Sequence, residues 1–133
     1  MAIREFRLED AEEVFVLWKK AGIFYDPWDK KENLAEKQKK ESDLFLVYEE
    51  NKKVVGVALS QYDGWGSYIH HLASADSYGK IGSALIKEME RRLKSKGAKT
   101  VFLFTNPKSK ESAFVQNEGY KSWGISEGWE KKL

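Results

Sequence analysis

Gly79-Lys80-Ile81-Gly82-Ser83 is the segment whose residue types and spacing best suit chemistry. It follows a stretch of strand character and opens one of helical periodicity. Backbone N–H groups at a helix start have no intrahelical partner, and the helix dipole favours an anion beside them. Glycines let a phosphate approach the backbone closely. Lys80 adds a mobile positive charge. Two glycines alone could serve only a tight strand-to-helix turn. Strand, turn, lysine and helix together point instead to a phosphate-bearing ligand.

His70 and His71 lie just upstream, and the chain has no other histidine. An imidazole titrates near neutrality and can act as a general base. Adjacent strand residues point to opposite faces, so only one of the pair is expected to face a cleft. Ordinary half-buried strand histidines are the competing reading. Of the two, His71 is the candidate catalytic base, because it is nearer the turn. Two adjacent histidines with no cysteine and no evident carboxylate partner make a poor metal site, so none is expected.

The elements that must position these groups can be read from periodicity. Ala2 to Phe6 suits an edge strand. Asp10 with Glu13 has the pattern of a capping box, and Ala11, Val14, Phe15, Trp18 and Ala21 follow at helical spacing up to Gly22. Tyr25 to Asp29 reads as a loop, and Glu32 to Lys40 as a short, polar, exposed helix. Leu44 to Tyr48, Val54 to Leu59 and Tyr68 to Leu72 read as three strands of an antiparallel meander, with turns at 50–53 and 63–66. Ile81, Ala84, Leu85, Met89 and Leu93 mark an amphipathic helix that ends at Gly97. Val101 to Phe104 is a continuous apolar run, as for a strand covered on both faces. Ser109 to Asn117 fits a last helix, and the segment from Tyr120 has two weak strand patterns. The strand–helix–strand in the middle implies a parallel pair with a right-handed crossover. The expected fold is α/β (α+β): a mixed, mostly antiparallel sheet with a central parallel strand pair and helices on both faces.

Composition narrows the function. The chain has 133 residues, which suits a single domain over 1–133. Its 23 basic and 21 acidic residues leave a net charge of +2, too balanced for nucleic acid as the main partner. The lysines between Lys30 and Lys40 alternate with Glu32 and Glu36, as on a solvated helix face. With no cysteine, thiol catalysis and disulfides are excluded. The charged start, with Arg4, Glu5, Arg7, Glu9 and Asp10, is unlike a signal or transit peptide, and no apolar run suits a membrane span. A cytoplasmic location is expected, with no membrane partner. Trp28 and Trp65 sit on loops where they could wall an acceptor pocket.

Nearly the whole chain resembles the GNAT superfamily of acetyl-CoA-dependent N-acetyltransferases, in particular its small single-domain bacterial and archaeal members. The resemblance runs through Ile3-Arg4-Glu5-Phe6-Arg7, the hairpin Leu44 to Val47 with Val54-Val55-Gly56, Ile81-Gly82-Ser83-Ala84-Leu85-Ile86, and Glu118-Gly119-Tyr120. It implies acetyl-CoA as co-substrate. Its pyrophosphate would lie on the amides of Tyr78, Gly79, Lys80, Ile81, Gly82 and Ser83, and its pantetheine arm along Leu72, Ala73 and Ser74. An amine would attack the thioester directly, a base taking its proton and an acid protonating the thiolate. A backbone amide near Leu72 would hold the oxyanion.

The sequence departs from the family pattern at three points. In the cofactor loop, either Lys80 replaces a glycine and Ser77 an Arg or Gln, or one residue is deleted. Val115 takes the slot of the usual general-acid tyrosine and Lys108 that of the preceding asparagine, for which Asn106 could substitute through a shifted loop. No glutamate on the third meander strand offers a base. The resemblance leaves the acceptor open as a small-molecule or protein amine. The departures motivate an alternative, a non-catalytic domain of the same fold that senses acyl-CoA or binds protein. An exposed edge strand near the C-terminus would permit pairing of two copies.

Overall fold

Side-chain alternation along three consecutive strands divides the molecule into two cores. The computed structural model describes residues 2–133. The strands are β1 (Ile3–Glu5), β2 (Phe45–Glu50), β3 (Lys53–Tyr62) and β4 (Ser67–Ser74). The helices are α1 (Ala11–Ala21), α2 (Lys31–Lys40), α3 (Lys80–Lys96) and α4 (Lys110–Asn117). The strands form one antiparallel sheet in the order β1-β2-β3-β4. Phe45, Val47, Val57 and Leu59 face α1 and α2, packing with Phe6, Val14, Trp18 and Leu34. Leu46, Ala58, Ile69 and Leu72 face the other way, onto Leu85, Ile86, Met89 and Leu93 of α3 and Phe114 and Val115 of α4. Helices therefore cover both faces, as the sequence implies.

Local chemistry explains the element ends. Gly22 and Gly97 adopt the left-handed conformation, φ 73° and 109°, that closes α1 and α3. Asn51 and Lys52 also have positive φ, 52° and 64°, as a two-residue hairpin with the twist of its strands requires. Polar α2 buries only Leu34. It is tethered by side chains instead: Lys37 donates to Glu41 and to the Ser60 carbonyl, and Gln38 Nε2 donates to the Phe6 carbonyl at 2.9 Å.

Three expectations need correction. The Asp10–Glu13 capping box does not form. A short 3-10 turn, Leu8–Asp10, precedes α1, so the Asp10 carboxylate reaches back to the Arg7 N–H at 2.8 Å and takes a two-pronged pair from Arg4 at 2.8 and 2.9 Å. Glu13 accepts the Val54 N–H instead, at 2.9 Å. The parallel strand Val101 to Phe104 is reduced to one bridge, Tyr68 to Phe102. Phe102 donates to the Ser67 carbonyl at 2.9 Å and accepts from the Ile69 N–H at 3.0 Å. Beyond Ile69 a bulge at His71 bends β4 away, and Phe104 is left 68% exposed rather than covered. The segment after Tyr120 forms no strand, and Trp123 and Trp129 are exposed. Among the described residues no helix is long and apolar enough to cross a membrane.

Candidate active site

The bulge in β4 organises the first half of the site. Val57 pairs with Ala73 but Leu59 pairs with His70, so His71 and Leu72 have no Cα partner on β3. His71 sits at φ 51°, a left-handed value unusual for a side-chain-bearing residue. Its carbonyl is held by the Trp18 indole N–H at 3.0 Å, and the Trp18 ring meets the imidazole edge-on at 4.6 Å.

This backbone turn breaks the alternation expected of the histidine pair. Both rings lie on the α1–α2 side, with His70 Nδ1 and His71 Nδ1 2.8 Å apart. His71 Nε2 meets the Asp29 carboxylate at 3.0 Å, so the pair does have the carboxylate partner that sequence reasoning missed. Asp29 is buried at 5% exposure and is fixed from behind by the Tyr25 N–H, which donates to it at 2.7 Å. Burial, then the neighbouring His71 and the Lys37 ammonium, push His70 down to about 4. Nothing in the sequence marks Asp29, because its loop meets β4 only through the tertiary fold.

The turn into α3 forms the second half. Ser77 and Tyr78 both have positive φ, 52° and 66°, and bring the chain sharply to the helix start. The amides expected to hold pyrophosphate are partly occupied from within the chain. The Tyr78 N–H donates to Ser74 Oγ at 2.8 Å. The Gly79 and Ile81 N–H groups donate to the two oxygens of Asp76, at 3.1 and 2.9 Å. Partial burial raises the Asp76 carboxyl, but the Ile81 N–H, the Ser74 hydroxyl and the Gly79 N–H outweigh it and hold it below its ordinary value. The anion position that the glycines imply therefore holds a carboxylate of the chain itself.

Between the C-terminal end of α1, the turn from β4 into α3 and the start of α4 lies a cleft of ≈ 450 Å³, lined among others by Leu17, Ser74, Tyr78, Asn106 and Glu111. The structure thus brings Ser74, Tyr78 and Asn106 around one space, with the Tyr78 hydroxyl donating to the Leu72 carbonyl at 3.2 Å. Ala73 is buried in the sheet. Ser83 turns to Glu118, donating to it at 3.1 Å, and Ile81 packs on Gly56. Gly82 lies under Phe114 and Ser74, while Lys80 is exposed at the start of α3.

Two further groups in the cleft were not evident from sequence. Burial raises the Glu111 carboxyl to about 7. Burial, then the Glu111 charge, raises the Tyr78 phenol to about 12. Val115, in the position of the family's acid, is a core residue at 9% exposure. Tyr120 points away from the cleft and donates to Glu90 at 2.6 Å. Trp28 is half-exposed against Tyr25, in the loop that carries Asp29, and Trp65 is 93% exposed at the β3–β4 turn.

Comparison with known proteins agrees with this architecture. The sequence pattern of the acetyltransferase (GNAT) family matches residues 6–114. An acetyltransferase of Pectobacterium atrosepticum is 35% identical over 106 residues, 77% of this chain and 74% of that protein. One of Sodalis glossinidius is 36% identical over the same shares of each. Among solved structures, Ard1 from Thermoplasma volcanium superposes with a TM-score of 0.75 at 20% identity, covering 88% of this chain and 80% of that one. The PaiA N-acetyltransferase from Thermoplasma acidophilum, in complex with coenzyme A, gives 0.74 at 24% identity, over 90% and 88%. The matched pattern, the relatives and the shared fold agree: this chain belongs to the acetyltransferase (GNAT) family.

Proposed function

We propose that the chain acts as a single cytoplasmic domain over 1–133 that transfers the acetyl group of acetyl-CoA to a primary amine, on a small molecule or a protein N-terminus. The observation that carries this reading is the parting of β4 from the Val101–Phe104 segment beyond the Ile69–Phe102 bond. The parting exposes a strand edge from Leu72 to Ser74 beside the start of α3. A pantetheine arm would lie along that edge, with Asn106 across the cleft, and its pyrophosphate would reach Tyr78, Gly79, Lys80, Ile81, Gly82 and Ser83. The phosphate would displace the Asp76 carboxylate from the Gly79 and Ile81 amides, with Lys80 adding charge.

The Leu72 N–H is the oxyanion donor of this reading, supported by its lying at the bulge, where β4 falls out of register with β3. The base function falls to the His70–His71 pair. Tyr78, the phenol that lines the cleft, is the proton donor for the departing thiolate.

A thermal melt with and without acetyl-CoA tests the cofactor. A ligand at a hundredfold excess over its Kd adds about 2.7 kcal/mol, so no stabilisation at millimolar acetyl-CoA refutes the reading. Thiol release in the presence of a panel of amines then tests transfer. The self-occupied amides and the core position of Val115 favour one other reading, an acyl-CoA sensor without catalysis. Stabilisation without thiol release from any amine would select it.

A further inference from the structure

His71 has no ring nitrogen left for a substrate. Its Nε2 faces Asp29 and its Nδ1 faces His70. An ionised carboxylate only accepts, so His71 Nε2 carries a proton. In the neutral ring His71 Nδ1 is then a lone pair, and His70 Nδ1–H donates to it. That leaves His70 Nε2 as a lone pair. It has no hydrogen-bond partner among the described residues and is absent from the buried polar atoms that lack one, Ser60 Oγ and Ser67 Oγ. His70 is half-buried, and this nitrogen is not sealed within the core.

We propose that His70 takes the proton of the attacking amine, and that His71 and Asp29 are positioning residues that draw this proton inward. The inference rests on the acetyl-transfer reading above. As the amine nitrogen bonds to the thioester carbon, its excess proton passes to His70 Nε2. The His70 Nδ1 proton passes to His71 Nδ1. His71, now protonated on both nitrogens, is an imidazolium against the Asp29 carboxylate. The C–S bond then breaks, and the thiolate is protonated from the cleft side. Loss of one proton to solvent through His70 resets the pair.

The surroundings favour this order. Burial, then the neighbouring His71 once it holds the proton, then the Lys37 ammonium, make His70 a poor place for a proton to rest. The groups facing the pair are Asp29 and Tyr25 from the α1–α2 loop, Trp18 from α1, and Lys37 from α2, itself paired with Glu41. Of these, Asp29 alone is an anion in hydrogen-bond contact with a ring. His70 and Leu72 flank the bulge at His71, so base and oxyanion donor belong to the same out-of-register stretch of β4.

The test begins without substrate. With only two histidines in the chain, their ring 15N signals are read without overlap. At neutral pH the expected tautomers are Nδ1–H on His70 and Nε2–H on His71, and the opposite tautomer on either ring overturns the relay. The second arm measures thiol release from acetyl-CoA with ethylamine as the probe amine. H70Q is expected to lower kcat about 100-fold with little change in the KM for acetyl-CoA, and D29N about tenfold. D29N also moves the acid limb of the pH profile to lower pH, because the inward proton has lost its counter-charge. Wild-type kcat in H70Q, or an unmoved limb in D29N, overturns the proposal. If the wild-type protein binds no acetyl-CoA and releases no thiol with any amine, the acetyl-transfer reading has failed, and the tautomers still decide whether the hydrogen-bonded chain exists. They also decide it should H70Q fail to fold.

Discussion

Asp76 Oδ2 accepts the backbone N–H of Ile81 at 2.9 Å, so the first turn of α3 is capped by a carboxylate at the position proposed for the pyrophosphate. Asp76→Ala removes a competitor and a cap at once. Acetyl-CoA should bind several-fold more tightly, while the free protein loses about 1 kcal/mol, as for other lost helix caps. Calorimetric titration and a chemical melt report the two effects separately. Weaker binding would show that Asp76 pre-shapes the loop rather than blocking it. The same carboxylate is held below its ordinary value, so its contribution is present above the usual carboxylate range and is lost as pH falls through the lower native value.

Tyr78→Phe separates chemistry from binding. The phenol is the proposed proton donor, and phenylalanine keeps the ring against Phe114, 5.5 Å away. The expected result is a kcat lower by about 100-fold with acetyl-CoA binding retained. Unchanged turnover would return the acid role to solvent.

Glu111→Gln is a pH-dependent change in stability. Burial raises this carboxyl to about 7, above its unfolded value. A raised group contributes stability fully present below the unfolded pKa and lost as pH rises through the folded one. The glutamine variant should therefore match the parent in acid and melt higher above pH 7. Melting curves from pH 4 to 8.5 give the comparison, and a constant offset would contradict the assignment.

Two glycines on the α3 side should respond differently to alanine. A Cβ at Gly56 would meet Ile81 Cγ2 at 2.6 Å and Leu85 Cδ1 at 2.8 Å, so these side chains or α3 itself must shift. A cost of about 1–3 kcal/mol is expected. A Cβ at Gly82 meets Phe114 and Ser74 at 3.4 and 3.5 Å, which is ordinary contact. Gly82→Ala should thus leave stability unchanged or improved, since alanine is the better helix former. Gly82→Val, bulkier beside the cofactor turn, should lose acetyl-CoA binding while keeping the fold. Urea melts and acetyl-CoA titrations of the three variants check this.

The sequence carried most of the frame because its signals were local. Helix periodicity, the glycine stops at Gly22 and Gly97, and the three-strand meander each depend on near neighbours, and each appears in the structure. The misreadings arise where distant groups decide. The alternation rule fails at His71 because one left-handed residue, held by the Trp18 indole, turns its ring to the same side as that of His70. Asp29 reaches that ring from the loop between α1 and α2, a contact no spacing rule contains. The Val101–Phe104 run is apolar enough for a strand, but a ladder needs a straight partner, and β4 bends just where pairing would continue. The loop at Gly79 reads from sequence as a place for an anion, and no local signal marks Asp76 as the carboxylate that accepts its amides.

The meander also bears on how the chain assembles. Short turns join β2 to β3 and β3 to β4, whereas β1 must close a loop around both α1 and α2 to reach β2. Short closures cost less entropy, so the three-strand unit should form ahead of β1 and ahead of docking by α4. During synthesis from the N-terminus, β1 and α1 would then wait on the ribosome for the hairpins that give them a surface. The His71 bulge, built inside that early unit, would be set before either wall of the cleft was complete.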